Sequence, residues 1–167
     1  RIDPEVYLNS LAGLGSRLES AHEGNLGAFG GYEPKIHIAP IHRAKPISVI
    51  QWRLDPGAHF PPHNHTPSYV YSLCLEGECW VHHYEIAGDA PPAGKEGPFE
   101  LRKTRSRLLR PGLGTSLTPE RDNIHTFTAG PKGAMGIDIN TSLPGDGDWS
   151  MIEFDSELGN EYELRRA

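Results

Sequence analysis

Cysteine, basic charge and long apolar runs are all scarce in this sequence, and each shortage excludes a class of protein. Two cysteines in 167 residues cannot staple a disulfide-rich scaffold, so a reducing compartment, the cytoplasm, is the expected location. A formal net charge of −6 leaves no basic field to attract nucleic acid. No apolar run reaches the roughly 20 residues that a membrane-spanning helix needs. We therefore expect neither a nucleic-acid partner nor a membrane partner.

The two cysteines, Cys74 and Cys79, flank a turn expected at 76–78, and they could face each other across a hairpin. A bridge between them is therefore an open alternative, but a reducing compartment favours two free thiols. The chain begins at Arg1 instead of Met, so a signal in any removed leading segment is not visible in this sequence.

Glycine and proline are abundant, with 19 and 15 residues respectively, and they indicate many turns and short strands instead of a helical bundle. The length suits one domain with a compact core. One helix is expected at 4–20, because Asp3 is a good N-cap, Pro4 suits the first helical position and apolar residues follow at helical spacing. Gly13 and Gly15 weaken this helix.

The rest of the chain alternates short β-prone runs with turns. Strands are expected at 35–39, 47–54, 69–75, 79–85, 99–109, 115–118, 123–128, 134–140 and 149–154. Turns that recur about every 8 to 12 residues, as they do here, are typical of an antiparallel sandwich or barrel. We therefore expect a helical and irregular lead at 1–34, a β-barrel at 35–155 and an acidic, partly helical tail at 156–167.

Two histidines, His63 and His65, lie two residues apart at the start of an alternating apolar run. On a strand, residues i and i+2 point to the same face, so both imidazoles can aim at one point. Neutral imidazole is a good ligand for Fe, Zn, Cu or Ni. The pair therefore predicts a metal site, with a third ligand supplied by a later strand.

The spacing around this pair resembles the first motif of the cupin superfamily, in which two histidines are followed by a glutamate and, after six residues, by a glycine. Gly77 matches the glycine, and Gly57 lies at the turn upstream of the pair. The glutamate position is occupied by Val70, whose side chain cannot bind metal. The resemblance implies an all-β double-stranded β-helix, a jelly-roll barrel, preceded here by a short N-terminal helix.

His125 is the candidate for the third ligand. It lies about where the second cupin motif places its histidine, although Pro119 is one residue too far upstream and Ala129 occupies the usual asparagine position. A surface or core histidine is the alternative interpretation. Three histidines without a carboxylate would leave open coordination positions on the metal and no negative charge to offset the ion.

Within the cupins, a three-histidine site resembles the thiol dioxygenases. The sequence is similar to their cysteamine dioxygenase and plant cysteine oxidase branch over about residues 45–155. Three features carry this similarity: the twelve-residue step from His65 to Gly77, the run at 124–129, and Asp138 on the following strand.

This resemblance implies an oxidoreductase, a mononuclear non-haem dioxygenase that uses O2 to oxidise a small thiol to a sulfinic acid. It also implies that Fe(II) is bound by three residues, His63, His65 and His125. Ni, Mn or Zn in place of Fe is an alternative. The closing strand has Ser150 and Met151 where that branch has tyrosines, so the resemblance does not identify the substrate.

Three further residues are candidates for catalytic roles. Asp138 would accept a hydrogen bond from a substrate amine or from a ligand histidine, unless it is a structural aspartate. Tyr69 and Tyr71 share one strand face, opposite Val70. Either tyrosine could donate a hydrogen bond to O2 or substrate, and packing is the alternative role for each.

Other histidines are weaker candidates. His59 lies close before the ligand pair, but Pro61 and Pro62 break a regular strand there, so we expect His59 outside the ligand set. His82 and His83 are adjacent and face opposite sides of their strand, so one of them can point into the barrel.

Two other functions are compatible with the same residues. The first is a metal cupin of another reaction class, such as a carbon–carbon cleaving dioxygenase, an isomerase or a lyase. The second is a non-catalytic cupin that binds a small molecule as a sensor or storage protein. The expected partners are a small-molecule substrate and O2, and the chain is expected to be a monomer or a homodimer.

Overall fold

Strands make up most of the described chain, as the abundance of turn-forming residues predicts. A computed structural model describes residues 3–17, 25–65, 67–89, 97–144, 149–154 and 161–166. These residues form one helix, α1, and ten strands. Among them there is no helix with the length and apolar character needed to traverse a bilayer.

Helix α1 spans Pro4–Gly15 and begins where the sequence predicts. The Asp3 carboxylate caps it by accepting a hydrogen bond from the backbone N–H of Glu5 at 2.8 Å. The helix ends before the predicted residue 20, because two glycines weaken its last turn. Residues 18–20 of the expected helix lie outside the described ranges.

The ten strands follow in chain order. Their bounds are β1 Gly27–Phe29, β2 Ile36–Ala44, β3 Ile47–Leu54, β4 His59–His65, β5 Ser68–Ala87, β6 Pro98–Leu109, β7 Gly114–Leu117, β8 Ile124–Ser142, β9 Trp149–Phe154 and β10 Glu161–Arg166. β1 lies in a region expected to be irregular. β10 overturns the expectation of a partly helical tail, because it is extended and pairs with β9, whereas residues 155–160 of that region are not described.

β5 and β8 are each one long, bent strand where the sequence predicts two. β5 continues through the expected turn at 76–78, because Gly77 takes a φ of 68° and the ladder to β8 shifts register on both sides of it. Gly133, with a φ of 77°, lies beside this bend in β8. The expected hairpin between Cys74 and Cys79 therefore does not form. Cys74 and Cys79 are nevertheless both buried as free thiols, and their side chains hydrogen-bond each other.

β4 continues through Pro61 and Pro62 as one strand, but its regular pairing is interrupted there, as the two prolines predict. The ladder between β4 and β8 shifts register between Phe60 and His63. The prolines, which have no N–H to donate, therefore lie where regular pairing is interrupted.

The strands form one antiparallel sheet that closes on itself. Neighbouring strands follow the order β1-β2-β3-β8-β4-β9-β10-β6-β5-β7, and β5 also pairs with β8. This additional ladder extends from Ser68↔Ser142 to Tyr84↔Ile124. The closed arrangement, with α1 packed on its outside, is the all-β jelly-roll barrel that the sequence predicts.

Two apolar clusters lie on opposite faces of the β5–β8 ladder. The cluster inside the barrel includes Trp52 and Phe127. The cluster outside it lies under α1 and includes Leu8, Tyr71 and Leu73. Because successive residues of a strand point to opposite faces, β5 contributes to both clusters.

Gly136 lies where β8 passes over the Trp52 ring. A Cβ at this position would overlap the Leu73 carbonyl oxygen and the Trp52 ring. The backbone of β8 can approach the indole this closely because residue 136 has no side chain.

We expect Gly136→Ala to lower the free energy of unfolding by about 1–3 kcal/mol, because the added methyl overpacks the barrel wall. Gly13→Ala is the matched control, since a Cβ there meets nothing within 4 Å. It should raise the free energy of unfolding by up to about 1 kcal/mol through helix propensity. Urea denaturation of both variants measures the two changes. Equal stability of Gly136→Ala and the unmodified chain would contradict the packing argument.

Candidate metal centre

Three imidazoles meet at one point inside the barrel. His63 and His125 are direct partners in the β4–β8 ladder. His65, two residues beyond His63 on β4, points to the same side. The Nε2 atom of His125 lies 2.9 Å from that of His63 and 3.1 Å from that of His65. The structure thus brings together the three histidines that the sequence nominates as ligands.

Aromatic neighbours hold two of these rings in place. Phe60 stacks on the His63 ring with centroids 4.4 Å apart, and Phe127 meets the His125 ring edge-on at 4.7 Å. His63 and His125 are buried, whereas His65 is partly exposed to a cavity. Side chains packed in this way keep one rotamer, so the Nε2 atoms are aimed before any ligand arrives.

A backbone hydrogen bond fixes the proton position of the His63 ring. A peptide carbonyl can only accept, so Nδ1 of His63 donates to the Pro61 carbonyl oxygen at 2.9 Å. Burial lowers the pKa of His63 to about 4, although that hydrogen bond acts in the opposite direction. The ring is therefore neutral near pH 7, and its Nε2 carries a lone pair. His125 Nε2 could donate one proton to one neighbour, but not to both.

The distances among the nitrogens suit a bound metal ion. Imidazole nitrogens about 2.0–2.1 Å from a metal and at right angles to each other lie about 2.9 Å apart. The separations of 2.9 and 3.1 Å match this value. With each ring protonated at Nδ1, a cation would accept all three Nε2 lone pairs at once. The cluster contains no Asp, Glu or Cys ligand among the described residues. The residues present therefore fit a divalent ion held by neutral nitrogen ligands.

The other two rings are also kept neutral. Burial is the main cause of a pKa well below the ordinary value for both His65 and His125, and the neighbouring His63 adds to it. A hydrogen bond between His65 and the Asn140 side chain partly opposes this effect. Sequence reasoning did not nominate Asn140, although its alternation with Asp138 on β8 puts both on one face.

A cavity of about 910 Å³ is lined by two of the three histidines, His63 and His65. The polar residues of its wall are His63, His65, Asp138, Asn140, Lys45, Ser48, Ser68 and Ser142. Most of the remaining wall is apolar and comes from Phe29, Ile38, Ile50, Trp52, Phe60 and Leu143. The combination of a few convergent polar groups and apolar walls is typical of a small-molecule site.

Asp138 is a buried carboxylate in this cavity. It accepts a hydrogen bond from Trp52 Nε1 at 3.0 Å and a second from the Ser72 side chain. Burial nevertheless raises the pKa of Asp138 to about 6, with the two hydrogen bonds acting the other way. Asp138 is therefore mostly ionised at neutral pH and is held in one orientation.

Tyr69 and Tyr71 do not reach the histidines, so the prediction that they line this cavity is wrong. They do share one face of β5, as predicted, but that face points out of the barrel towards α1. Tyr69 contacts Tyr7 of the helix, with ring centroids 6.4 Å apart. Ser72, on the other face, is the β5 residue that reaches Asp138.

The remaining histidines lie around the cluster without joining it. His83 is fully buried beside His125, with ring centroids 6.1 Å apart, and its Nε2 hydrogen-bonds Thr115 Oγ1 at 2.9 Å. His83 is thus the inward-pointing member of the adjacent pair that sequence reasoning left open. His59 is exposed and pairs with Thr128 Oγ1 at 2.9 Å, as expected for a residue outside the ligand set.

One curated relative shares part of the sequence. No protein family model matches the chain. Plant cysteine oxidase 1 from Arabidopsis thaliana is 29% identical over 106 residues, which are 63% of this chain and 36% of that protein. The chain therefore spans about a third of the length of this relative.

Two solved structures share the fold. A cupin-like protein from Thermotoga maritima superposes with a TM-score of 0.53 and 16% identity, covering 78% of this chain and 86% of that one. A Klebsiella pneumoniae protein with a double-stranded β-helix domain gives a TM-score of 0.51 and 15% identity, covering 81% and 93%. The chain therefore has the cupin fold, carries a three-histidine cluster and resembles the plant cysteine oxidase branch.

Proposed function

We propose that this chain is a mononuclear non-haem iron(II) dioxygenase that oxidises a thiol to a sulfinic acid. The proposed ligands are His63, His65 and His125. The proposal depends on the convergence of three Nε2 atoms: that of His125 lies 2.9 Å from that of His63 and 3.1 Å from that of His65. No acidic ligand joins this cluster among the described residues. The partial similarity to plant cysteine oxidase 1 supports the same reaction class.

The reaction is balanced without a further reductant. A thiol R–SH and O2 combine to R–SO2H, so sulfur is oxidised, both oxygen atoms of O2 are reduced, and the proton stays on the product. Bound iron would supply the electronic path between O2 and sulfur. The protein supplies binding, orientation and exclusion of water.

The neutral ligand set favours an anionic substrate group. Three imidazoles leave both charges of a divalent ion uncompensated by the ligands. A thiolate is the anionic form of the proposed substrate, and a nearby cation favours thiolate over thiol. The apolar wall formed by Phe60, Trp52 and Ile50 limits the water that could compete for this position.

Asp138 would orient the substrate within the cavity. Its carboxylate is fixed by Trp52 and Ser72, and it is mostly ionised above pH 6. It is the one carboxylate among the described cavity-lining residues, so it is the natural partner for an ammonium group on an amino thiol. An amine held there would leave the thiol end of the same molecule free to reach the histidines.

Anaerobic loading with Fe(II) followed by exposure to O2 and a thiol tests the reaction. We expect uptake of one O2 per thiol consumed and a product heavier by two oxygen atoms, measured with an oxygen electrode and mass spectrometry. Diketones and amines without sulfur, offered to protein loaded with Fe, Ni, Mn or Zn, cover the other metal-dependent reactions. Turnover of those substrates but of no thiol would reject the sulfur chemistry.

Replacement of each histidine by alanine tests the ligand set. His63→Ala, His65→Ala and His125→Ala should each reduce bound iron to well below one equivalent, because two imidazoles hold the ion far more weakly than three. His59→Ala is the matched control on the same strand and should keep full iron. Metal analysis after gel filtration gives the occupancy, and circular dichroism checks the fold. Full iron in any of the three variants would remove that residue from the site.

Asp138→Asn tests the amine contact. It should lower kcat/KM for cysteamine by about tenfold to a hundredfold, because a hydrogen bond to a charged group contributes about 1.5–3 kcal/mol. In the unmodified chain, kcat/KM for cysteamine should fall as pH drops below about 6, since Asp138 then gains a proton. The variant should lose this step while keeping its iron. An equal loss with 3-mercaptopropionate, which has no amine, would contradict the role.

A further inference from the structure

A second cavity, of about 260 Å³, lies between α1 and the outer face of the barrel. It is separated from the histidine cavity by β5, whose alternate residues face the two spaces. Tyr71 of β5 lines it, together with Asn9 of α1, Arg105 and Arg107 of β6, and Ser116 of β7. The wall is mainly polar and carries two guanidinium groups, although the chain as a whole has a net charge of −6.

The Tyr71 side chain is largely buried, and it lines this cavity. The residue is only 5% exposed. Its hydroxyl lies against Gly114, where any Cβ would overlap it. Burial raises the pKa of Tyr71, with Arg107 acting in the opposite direction, so the phenol keeps its proton at neutral pH. The cavity wall therefore includes a phenol O–H group.

The two arginines add further donors. Arg105 is fixed by an ion pair with Asp122 at 3.1 Å and by a hydrogen bond to the Ser116 carbonyl oxygen at 2.9 Å. Its Nε is nevertheless buried without a partner among the described residues. Arg107 lies two residues further along β6 on the same side, and it makes no ion pair with any described carboxylate. Two guanidinium charges against the one carboxylate of Asp122 leave the cavity positive.

We propose that this cavity binds the oxyanion group, a carboxylate or a phosphate, of a small molecule other than the thiol substrate. Guanidinium groups bind such oxyanions through parallel N–H···O hydrogen bonds, and a phenol O–H can donate to a further oxygen. The ligand would accept hydrogen bonds from Arg107 and from the Tyr71 hydroxyl, and Arg105 would add its positive charge. The site does not depend on the iron centre, so it goes beyond the proposed dioxygenase activity.

Calorimetric titration of the purified full chain with sodium phosphate and with sodium acetate, at constant ionic strength set with chloride, tests the proposal. We expect saturable binding of at least one of the two anions. Selective binding of phosphate would indicate a phosphorylated ligand, and selective binding of acetate would indicate a carboxylate ligand. The absence of saturable binding by both anions would overturn the proposal.

Two variants and a control locate the binding. Arg107→Gln should weaken the anion at least about tenfold, and Tyr71→Phe should weaken it about threefold, as expected for losing a charged and a neutral donor. Lys103→Gln removes an exposed cation from the same strand outside the cavity and should leave binding within about twofold. Thermal melting checks that all three variants fold. Equal weakening by Lys103→Gln and Arg107→Gln would overturn the proposal, because it would reveal only a diffuse surface field.

Discussion

The ladder between β4 and the first residues of β8 is the interaction on which the candidate metal centre depends. His63 and His125 are 62 residues apart in the chain, yet the ladder makes them cross-strand neighbours. Neither strand alone carries more than two of the three imidazoles. The centre is therefore a property of the closed barrel, and any change that opens this ladder would disperse the nitrogens without touching a histidine.

Charge is divided within the histidine cavity. The three imidazoles are neutral, and the position where the related motif has an acid is filled by Val70, which is fully buried and faces Asn140 across the β5–β8 ladder. The negative charge is carried instead by Asp138, which Trp52 and Ser72 hold in place. In the proposed enzyme, the histidines would bind the metal and Asp138 would orient the substrate, which would leave the ion its full positive charge.

The histidine cluster could be predicted from the sequence more fully than the ends and faces of the strands. The i, i+2 spacing of His63 and His65 needs only local geometry, so it could be read directly. The bends at Gly77 and Gly133 could not, because a glycine with positive φ has the same local pattern in a turn and in a bulged strand, and only pairing with β8 decides. The sequence also does not show which face of β5 points into the barrel. Both faces of its first half are buried, so the alternation of polar and apolar residues does not distinguish them.

Two neighbouring residues of β5 point to opposite sides of the strand: Tyr71 points towards α1, and Ser72 points towards Asp138 in the histidine cavity. Inserting or deleting one residue before this point, without a compensating bulge, would exchange the two faces between Tyr71 and the bend at Gly77. The phenol would then enter the histidine cavity and the serine would lie beneath α1. A one-residue change in the length of this segment would therefore need a compensating bulge to keep Tyr71 and Ser72 facing their present cavities.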